Sequence, residues 1–500
     1  MKYKFIRKNL IFSIILSTCL LFSACGDAST KNTDANESEA VTAEEPATDE
    51  SAGAQPVSEE TEAEAPEDDG RTEDKQVIVY FPNWNLDAKP GDAGGEVASI
   101  DWEHVTFINH AFWGVFPNDG TTETTFERRA SGEGPRTEFT IRSTSDKADI
   151  EDSTESSVVE GLSRNHFSEY EYFSEIYPDV NVLISIGGWT CSGYFSEMAY
   201  TEEGRKSFVN ACVDLMKQYS WIDGIDIDWE YPGGSRDGER NPESDVDQGC
   251  PIWGTPNQDS ENFALLLTEL RSALNENFGE GAKYITACAS ASTGWTLPMQ
   301  NWELLAPCVD FVNVMTYDMA GLWDGQTGHA SSTFSSKAAA TYFFPLNVPR
   351  KKINIGSPMY CTTFLLKEIT DNPLGAAIEN YKPNTVDVTE SDILEFEASA
   401  VSGYTYVNEN NVWSMGETFD NGGKGWHMGY DTKKEAAYLY NDDETSPYYK
   451  WFLSYENHLS LQAKLDYIES SGISGIIVWE SSQDTPDHAY ISQMGDNLLK

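Results

Sequence analysis

Two hydrophobic rhythms alternate along the chain. Short apolar runs recur at Val77–Phe81, His104–Phe112, Val182–Ile186, Gly224–Trp229, Tyr284–Ala289, Phe311–Tyr317, Ile353–Tyr360 and Ile473–Trp479. They have strand length and are mostly bounded by Gly, Pro, Asn or Asp. Between several of them, apolar residues spaced three and four apart predict helices over Thr201–Ser220, Ser260–Phe278 and Leu459–Ser471. Strands apolar on both faces and alternating with helices indicate a parallel sheet covered on both sides. Eight such runs predict an α/β fold, a closed (β/α)8 TIM barrel with insertions. A doubly wound sheet satisfies the same alternation on pattern alone.

One interval breaks the rhythm. Over residues 361–450 the sequence turns strand-and-turn-like, with Tyr404–Val407, Val412–Met415 and Gly425–Tyr430 followed by acidic Asn441–Ser446. That predicts a small α+β domain inserted after the seventh strand, leaving the barrel as residues 75–360 and 451–500. The polar stretches Asn118–Ser157 and Gly233–Gln258 are expected to be loops rising from the barrel's upper face, where such barrels carry their chemistry.

The front of the chain is different. Lys2, Lys4, Arg7 and Lys8 precede an apolar run from Leu10 to Phe22 and then Ser23-Ala24-Cys25. This is the layout of a signal peptide over residues 1–25, with a run too short for a comfortable membrane span. Ser23-Ala24-Cys25 also resembles a bacterial lipobox, with Phe22 where that pattern usually has Leu; the resemblance implies a lipidated Cys25, and ordinary cleavage nearby is the alternative. Residues 26–74 hold 17 acidic and two basic residues and almost no aliphatic bulk. Such a segment cannot bury enough apolar surface to offset its ordering entropy, so it reads as a disordered, self-repelling linker. The expectation is an exported protein, held at the cell surface by a lipid or secreted, touching a membrane only through that anchor.

Charge narrows the partners. With 82 acidic against 33 basic residues the chain carries −49, and the part from residue 75 onward still carries −38. Nucleic acid and anionic membrane surfaces would repel it. Wholesale disorder is excluded by 39% hydrophobic residues with 14 Trp, 24 Tyr and 23 Phe. The six body cysteines, Cys191, Cys212, Cys250, Cys288, Cys308 and Cys361, form no CxxC pair and have no nearby His, so no metal site and no cofactor are expected. Disulfides are permitted by export, and none is assigned.

The most informative stretch is Asp223-Gly-Ile-Asp226-Ile-Asp228-Trp-Glu230-Tyr-Pro. Side chains at alternate strand positions share a face, so Asp226, Asp228 and Glu230 stand in a row, roughly 6–7 Å apart. Ile225, Ile227 and Trp229 face the helix layer. Mutual repulsion keeps at least one of the three carboxyls protonated near neutral pH, as a general acid requires. A solvated edge strand fits poorly because the opposite face is apolar, and a hard cation such as calcium is the lesser alternative.

At this point the sequence resembles the family 18 glycoside hydrolases, the chitinases, whose active-site strand reads D-G-x-D-x-D-W-E-Y-P. Tyr80-Phe-Pro-Asn-Trp84, Ser185-Ile-Gly-Gly-Trp189, Met315-Thr-Tyr317-Asp318 and Gly475-Ile-Ile-Val-Trp479-Glu480 resemble further family strands in the right order, and the inserted domain, with the return segment Phe452-Leu-Ser-Tyr455, resembles the chitinase insertion domain. The resemblance implies that Glu230 protonates the glycosidic oxygen, that Asp228 orients the substrate's 2-acetamido group, and that Asp226 holds Asp228 by a shared hydrogen bond. It implies that Tyr317 bonds the acetamido carbonyl, with Met315 and Asp318 nearby, and that Trp479 floors the sugar site. Trp189 is a candidate platform on the leaving-group side, and Tyr80 and Tyr231 are expected to line the cleft. Trp229 is expected in the core, while Trp84 and Trp113 fit either place.

The implied activity is retaining, endo-acting hydrolysis of chitin or chitooligosaccharides by substrate-assisted catalysis, in a monomer. The alternatives are an endo-β-N-acetylglucosaminidase acting on N-glycans or peptidoglycan, and a chitin-binding lectin, although such lectins usually lack the acid that Glu230 supplies. One departure stands out: Tyr360-Cys361-Thr362 occupies the place where the family often has Y-G-R, so an arginine reaching the sugar hydroxyls is missing there.

Overall fold

In a computed structural model, the described residues are 75–84, 96–151, 157–234, 236, 249–379, 412–414, 425–446, 448–485 and 487–500. The signal segment, Cys25, the acidic linker, the strand-like Tyr404–Val407 and most of the polar run between residues 235 and 248 lie outside them.

Fourteen strands are described: β1 Gln76–Pro82, β2 Phe107–Pro117, β3 Phe139–Ser143, β4 Asn181–Gly187, β5 Ile222–Asp228, β6 Tyr284–Ser290, β7 Phe311–Met315, β8 Ile353–Pro358, β9 Thr362–Leu365, β10 Val412–Ser414, β11 Trp426–Asp431, β12 Ala436–Asn441, β13 Trp451–Tyr455 and β14 Gly475–Trp479. Eight of them form one parallel sheet in the order β1, β14, β8, β7, β6, β5, β4, β2, and β2 pairs back onto β1. The sheet therefore closes, giving a (β/α)8 barrel. The eight apolar runs read from sequence are these eight strands, and closure decides against the open doubly wound sheet.

Period-two alternation sorts the strand side chains. Val77, Val79 and Phe81 of β1 and Ile225 and Ile227 of β5 pack outward in the core under the helices, joined by Trp229. Ile78 and Tyr80 of β1, Leu183, Cys288, Phe311 and Ile477 point inward and fill the barrel. The helices Glu202–Gln218, Pro256–Phe278 and His458–Ser471 match the expected ones, each with a side-chain N-cap from Thr201, Thr255 and Asn457 respectively. The second starts at Pro256, before the apolar periodicity begins, because Pro at the first helical position and a Thr cap nucleate it.

Two expectations are corrected. The stretch Asn118–Ser157 is not simply a loop: it holds the helix Thr125–Ser131, opened by a Thr124–Glu127 capping box, and β3, which pairs antiparallel with the outer half of β2. The inserted sheet runs in the order β10, β11, β12, β13, β9, all antiparallel, so it extends past the expected boundary at residue 450 to Tyr455. The reason is burial: Trp451, Leu453 and Tyr455 pack with Trp426, Met428 and Leu439 on one face, and Phe452 packs on Phe364 on the other. Just beyond, the buried Glu456 pairs with Lys464 and accepts from Ser357 Oγ at 3.1 Å, joining the end of the inserted sheet to the barrel. All six body cysteines are free thiols. Among the described residues no helix is long and apolar enough to cross a membrane.

Candidate active site

β5 delivers two of the three carboxylates into the barrel, and Glu230 follows just past its end. Register supplies the support for the first. Ser185 of β4 and Thr286 of β6 stand directly beside Asp226. Asp226 is fully buried; its Oδ2 accepts from Ser185 Oγ at 2.7 Å and from Tyr80 Oη at 3.2 Å. Its Oδ1 accepts from Asn313 Nδ2 at 3.3 Å and from the Thr286 hydroxyl. Burial still holds the Asp226 carboxyl above its usual range, although these four bonds pull against it. Other strands of the barrel supply donors to both of its oxygens.

Asp228 is the contrasting case. It is 3% exposed and its Oδ1 is buried with no hydrogen-bond partner. Burial, then the charge of Glu230 and then that of Asp226, push its carboxyl well above the carboxylate range, opposed only by a bond from the Cys288 thiol. A buried polar atom without a partner costs on the order of 1–3 kcal/mol, which a donor from a bound molecule would offset.

Glu230 is placed by its backbone: its N–H donates to Ser192 Oγ at 2.9 Å, and its carbonyl accepts from Arg236 Nη2 at 3.1 Å. Its carboxyl is pushed up to about 7 by burial; the Arg236 charge and a bond from Tyr231 oppose the shift and the Asp318 charge adds to it. The three carboxyls therefore do not all ionise at neutral pH, and the outermost keeps its proton in about half of the molecules there.

Gly187 shows why the neighbouring strand reads Ser-Ile-Gly-Gly. Its φ is +123°, and a Cβ there would lie 2.1 Å from the Asp228 carbonyl oxygen. Only glycine lets β4 approach β5 this closely.

An aromatic wall surrounds the carboxylates. Trp479, half-buried at the end of β14, stacks on Phe112 at 5.4 Å and lies 5.8 Å from Tyr80 and 6.1 Å from Trp84. Trp84 is 50% exposed and stacks on Phe112, which settles it beside Trp479; Trp113 is buried against Phe167 and belongs to the core. Met315 and Tyr317 are inward and almost buried, with Tyr317 edge-on to Tyr360. Tyr360 Oη donates to Asp318 Oδ1 at 2.7 Å. Tyr231 is half-buried in the same interior cluster, and Trp189 lies on the short turn after β4. Tyr80 is corrected from a cleft residue to a supporting one: at 1% exposure its hydroxyl is spent on Asp226, Asn313 and Cys288 beneath the site.

The support residues Thr286, Asn313 and Cys288 carry no sequence signal of their own, since only barrel register brings them to Asp226. Arg236 was hidden in a polar run. On the outer side of the barrel wall, His110, Asp149 and His166 form the one cluster of metal-ligand types among the described residues. Asp149 Oδ1 accepts from His110 Nε2 at 2.9 Å and His166 Nδ1 at 3.0 Å, while Oδ2 takes Ser143, Asn83 and Trp113. With both oxygens filled by donors, the cluster reads as a hydrogen-bonded hub.

Residues 76–484 match the model of the glycosyl hydrolases family 18. A chitinase A1 from Niallia circulans is 27% identical over 447 residues, covering 82% of this chain and 56% of that protein. An endochitinase from Manduca sexta is 24% identical over 429 residues, covering 82% and 64%. The chain thus spans under two thirds of the length of either relative. Among solved structures, chitinase ChiA74 from Bacillus thuringiensis aligns over 85% of this chain and 70% of that one with a TM-score of 0.62 at 23% identity. The Ostrinia furnacalis Group IV chitinase in complex with allosamidin aligns over 85% and 99% with a TM-score of 0.63 at 22% identity. These two similarities speak for the fold.

Proposed function

The chain belongs to glycosyl hydrolase family 18, and from that premise we propose that it is a retaining chitinase that hydrolyses β-1,4-linked N-acetylglucosamine polymers by substrate-assisted catalysis. The observation that carries the reading is the buried row of Asp226, Asp228 and Glu230, in which Asp228 keeps an unpartnered oxygen and Glu230 titrates at about 7. The names borne by the relatives, chitinase and endochitinase, support the substrate class.

In this mechanism Glu230 gives its proton to the glycosidic oxygen as the bond to the anomeric carbon breaks. The substrate's own acetamido oxygen attacks that carbon from the opposite face, so no protein nucleophile is needed, the family's exception to the two-carboxylate scheme. The oxazolinium ion so formed is positive, and Asp228 stabilises it through the acetamido N–H, which fills the vacant Oδ1. Tyr317 bonds the acetamido carbonyl oxygen and fixes its line of attack. Glu230, now ionised, takes a proton from the water that opens the ring, and the anomeric configuration is retained. In this reading Asp226, itself fixed by Tyr80 and its strand neighbours, shares a hydrogen bond with Asp228 from below, while Trp479 receives the face of the sugar, with Trp84 beside it.

The test is the full chain incubated with chitin oligomers, an N-glycoprotein and peptidoglycan, with products read by mass spectrometry. Wild type should release short β-1,4-linked N-acetylglucosamine oligomers, and Glu230→Gln should lower kcat by about 10³-fold or more. Release of N-glycans or muropeptides alone would move the substrate to those polymers, and chitin binding without cleavage would make the protein a lectin. Full activity of Glu230→Gln would overturn the mechanism.

A further inference from the structure

Arg236 sits in a polar run after β5 yet is 6% exposed. Its backbone N–H donates to the Cys250 carbonyl at 3.0 Å in an isolated antiparallel bridge, which pins the residue although it lies outside any strand. Its guanidinium carbon lies 3.6 Å from the centroid of the Trp189 ring, and Nη2 donates to two carbonyls, that of Trp189 at 2.5 Å and that of Glu230 at 3.1 Å. One side chain thus touches the proposed acid's backbone and both the backbone and the ring of the proposed leaving-group platform. Only a planar, permanently charged fork can stack and donate in this way.

We infer that Arg236 is a positioning residue that locks Glu230 and Trp189 into one unit, setting the acid's alignment and the grip on sugars at the leaving-group side together. The inference rests on the reading given above for Glu230 and Trp189. One face of the Trp189 ring is taken by the cation, so a sugar stacks only on the other, and turning the ring would break its stacking contact with Arg236.

Glu230 is faced by Asp228 from β5, by Tyr231 and Arg236 from the segment after it, and by Tyr317 and Asp318 from the end of β7. Arg236 is the only cation named among them and acts to lower the Glu230 pKa. Loss of its charge therefore raises the pH at which the acid ionises, and loss of its plane loosens Trp189.

Two readouts separate these effects. In Arg236→Gln, the Glu230 carboxyl, followed by carbon NMR titration, should ionise about one pH unit higher than in wild type, and the alkaline limb of kcat/KM should follow. The ratio of kcat/KM for chitopentaose to that for 4-nitrophenyl chitobioside, which places no sugar beyond the scissile bond, should fall roughly three- to thirtyfold. Arg236→Lys should restore most of the titration and little of the ratio. Unchanged titration and ratio in a folded Arg236→Gln would overturn the inference. If that variant fails to fold, an unchanged ratio in Arg236→Lys does the same. If wild type cleaves neither substrate, the functional reading falls, and the NMR titration still decides whether Arg236 sets the state of Glu230.

Discussion

Asp226 and Asp228 carry the same side chain two residues apart, and the structure treats them as opposites. The first is saturated by five side-chain donors, and the second is buried with an open oxygen. A carboxyl whose pKa is raised by folding binds its proton more tightly in the folded state, so its unfavourable contribution grows as pH rises above the unfolded value near 4. Asp228→Asn removes that cost while keeping the volume. The variant should therefore lose turnover, about 10²-fold or more, and gain thermal stability, by a few degrees at neutral pH and little below pH ~4. Calorimetry across pH beside initial rates checks both halves; a variant that loses activity and stability together would make Asp228 a structural residue. The carboxylates were legible because alternation along one strand is visible in sequence. Their neighbours were not: Ser185, Thr286 and Asn313 come from three different strands, and register across strands is a property of the closed sheet.

At the scale of elements, the same division recurs. The eight barrel strands were readable because each is a short run with an apolar outer face and several lie between long amphipathic helices. Strand β3 was missed because it sits in a polar, acidic stretch, although Phe139 and Ile141 alternate and Thr124 with Glu127 marks a capped helix just before it. The hub at Asp149 gathers this region: through Asn83 it reaches the end of β1, through His110 and Trp113 it reaches β2, and through Ser143 and His166 it reaches β3 and the helix His166–Ile176. Burial alone would raise the Asp149 carboxyl; the charge of His110 and bonds from both histidines outweigh it and hold the group well below the carboxylate range. A depressed acid contributes stability that is fully present above the unfolded pKa near 4 and is lost progressively as pH falls from there through the lower folded-state value. Asp149→Ala strands several buried donors and should cost about 3–5 kcal/mol of unfolding free energy at pH 7. Denaturant titration should show the gap from wild type narrowing as the pH is lowered below about 4; a constant gap would mean that the hub holds no charge. Asn83 also donates to the Phe112 carbonyl at 3.1 Å, so the hub braces the ring on which Trp479 stacks, and oligosaccharide binding should weaken in the same variant.

At the scale of the whole molecule, we propose that residues 1–25 direct export and that Cys25 carries a lipid, with residues 26–74 as the spacer that holds the barrel off the membrane. Expressed in a bacterium that acylates lipoproteins, the wild-type chain should take up a fatty-acid analogue and sediment with membranes. Cys25→Ala should be unlabelled and recovered in the soluble fraction. A wild-type chain that is cleaved and released without label would leave ordinary secretion in place of the anchor. That expectation rests on sequence chemistry, for an apolar run and a small-residue site are read by the export machinery as sequence and need no fold to be recognised. The inserted sheet was legible in its turn-rich composition, and it runs past residue 450 because β13 pairs with β12 and β9 and packs Trp451, Leu453 and Tyr455 on the same face as Trp426, Met428 and Leu439.

The pairing of Gln76 with Gly475 and of Val79 with Val478 places the earliest strand of the barrel against the latest one. A chain that emerges from a ribosome or an export channel in order makes β1 long before β14 exists. Until Gly475–Trp479 arrives, β1 and β8 each present a bare row of backbone donors and acceptors on an apolar strand, the kind of edge that recruits other chains. The barrel is thus a structure that can be finished only from its tail, and its most aggregation-prone interval is the time spent waiting for its last turn of sequence.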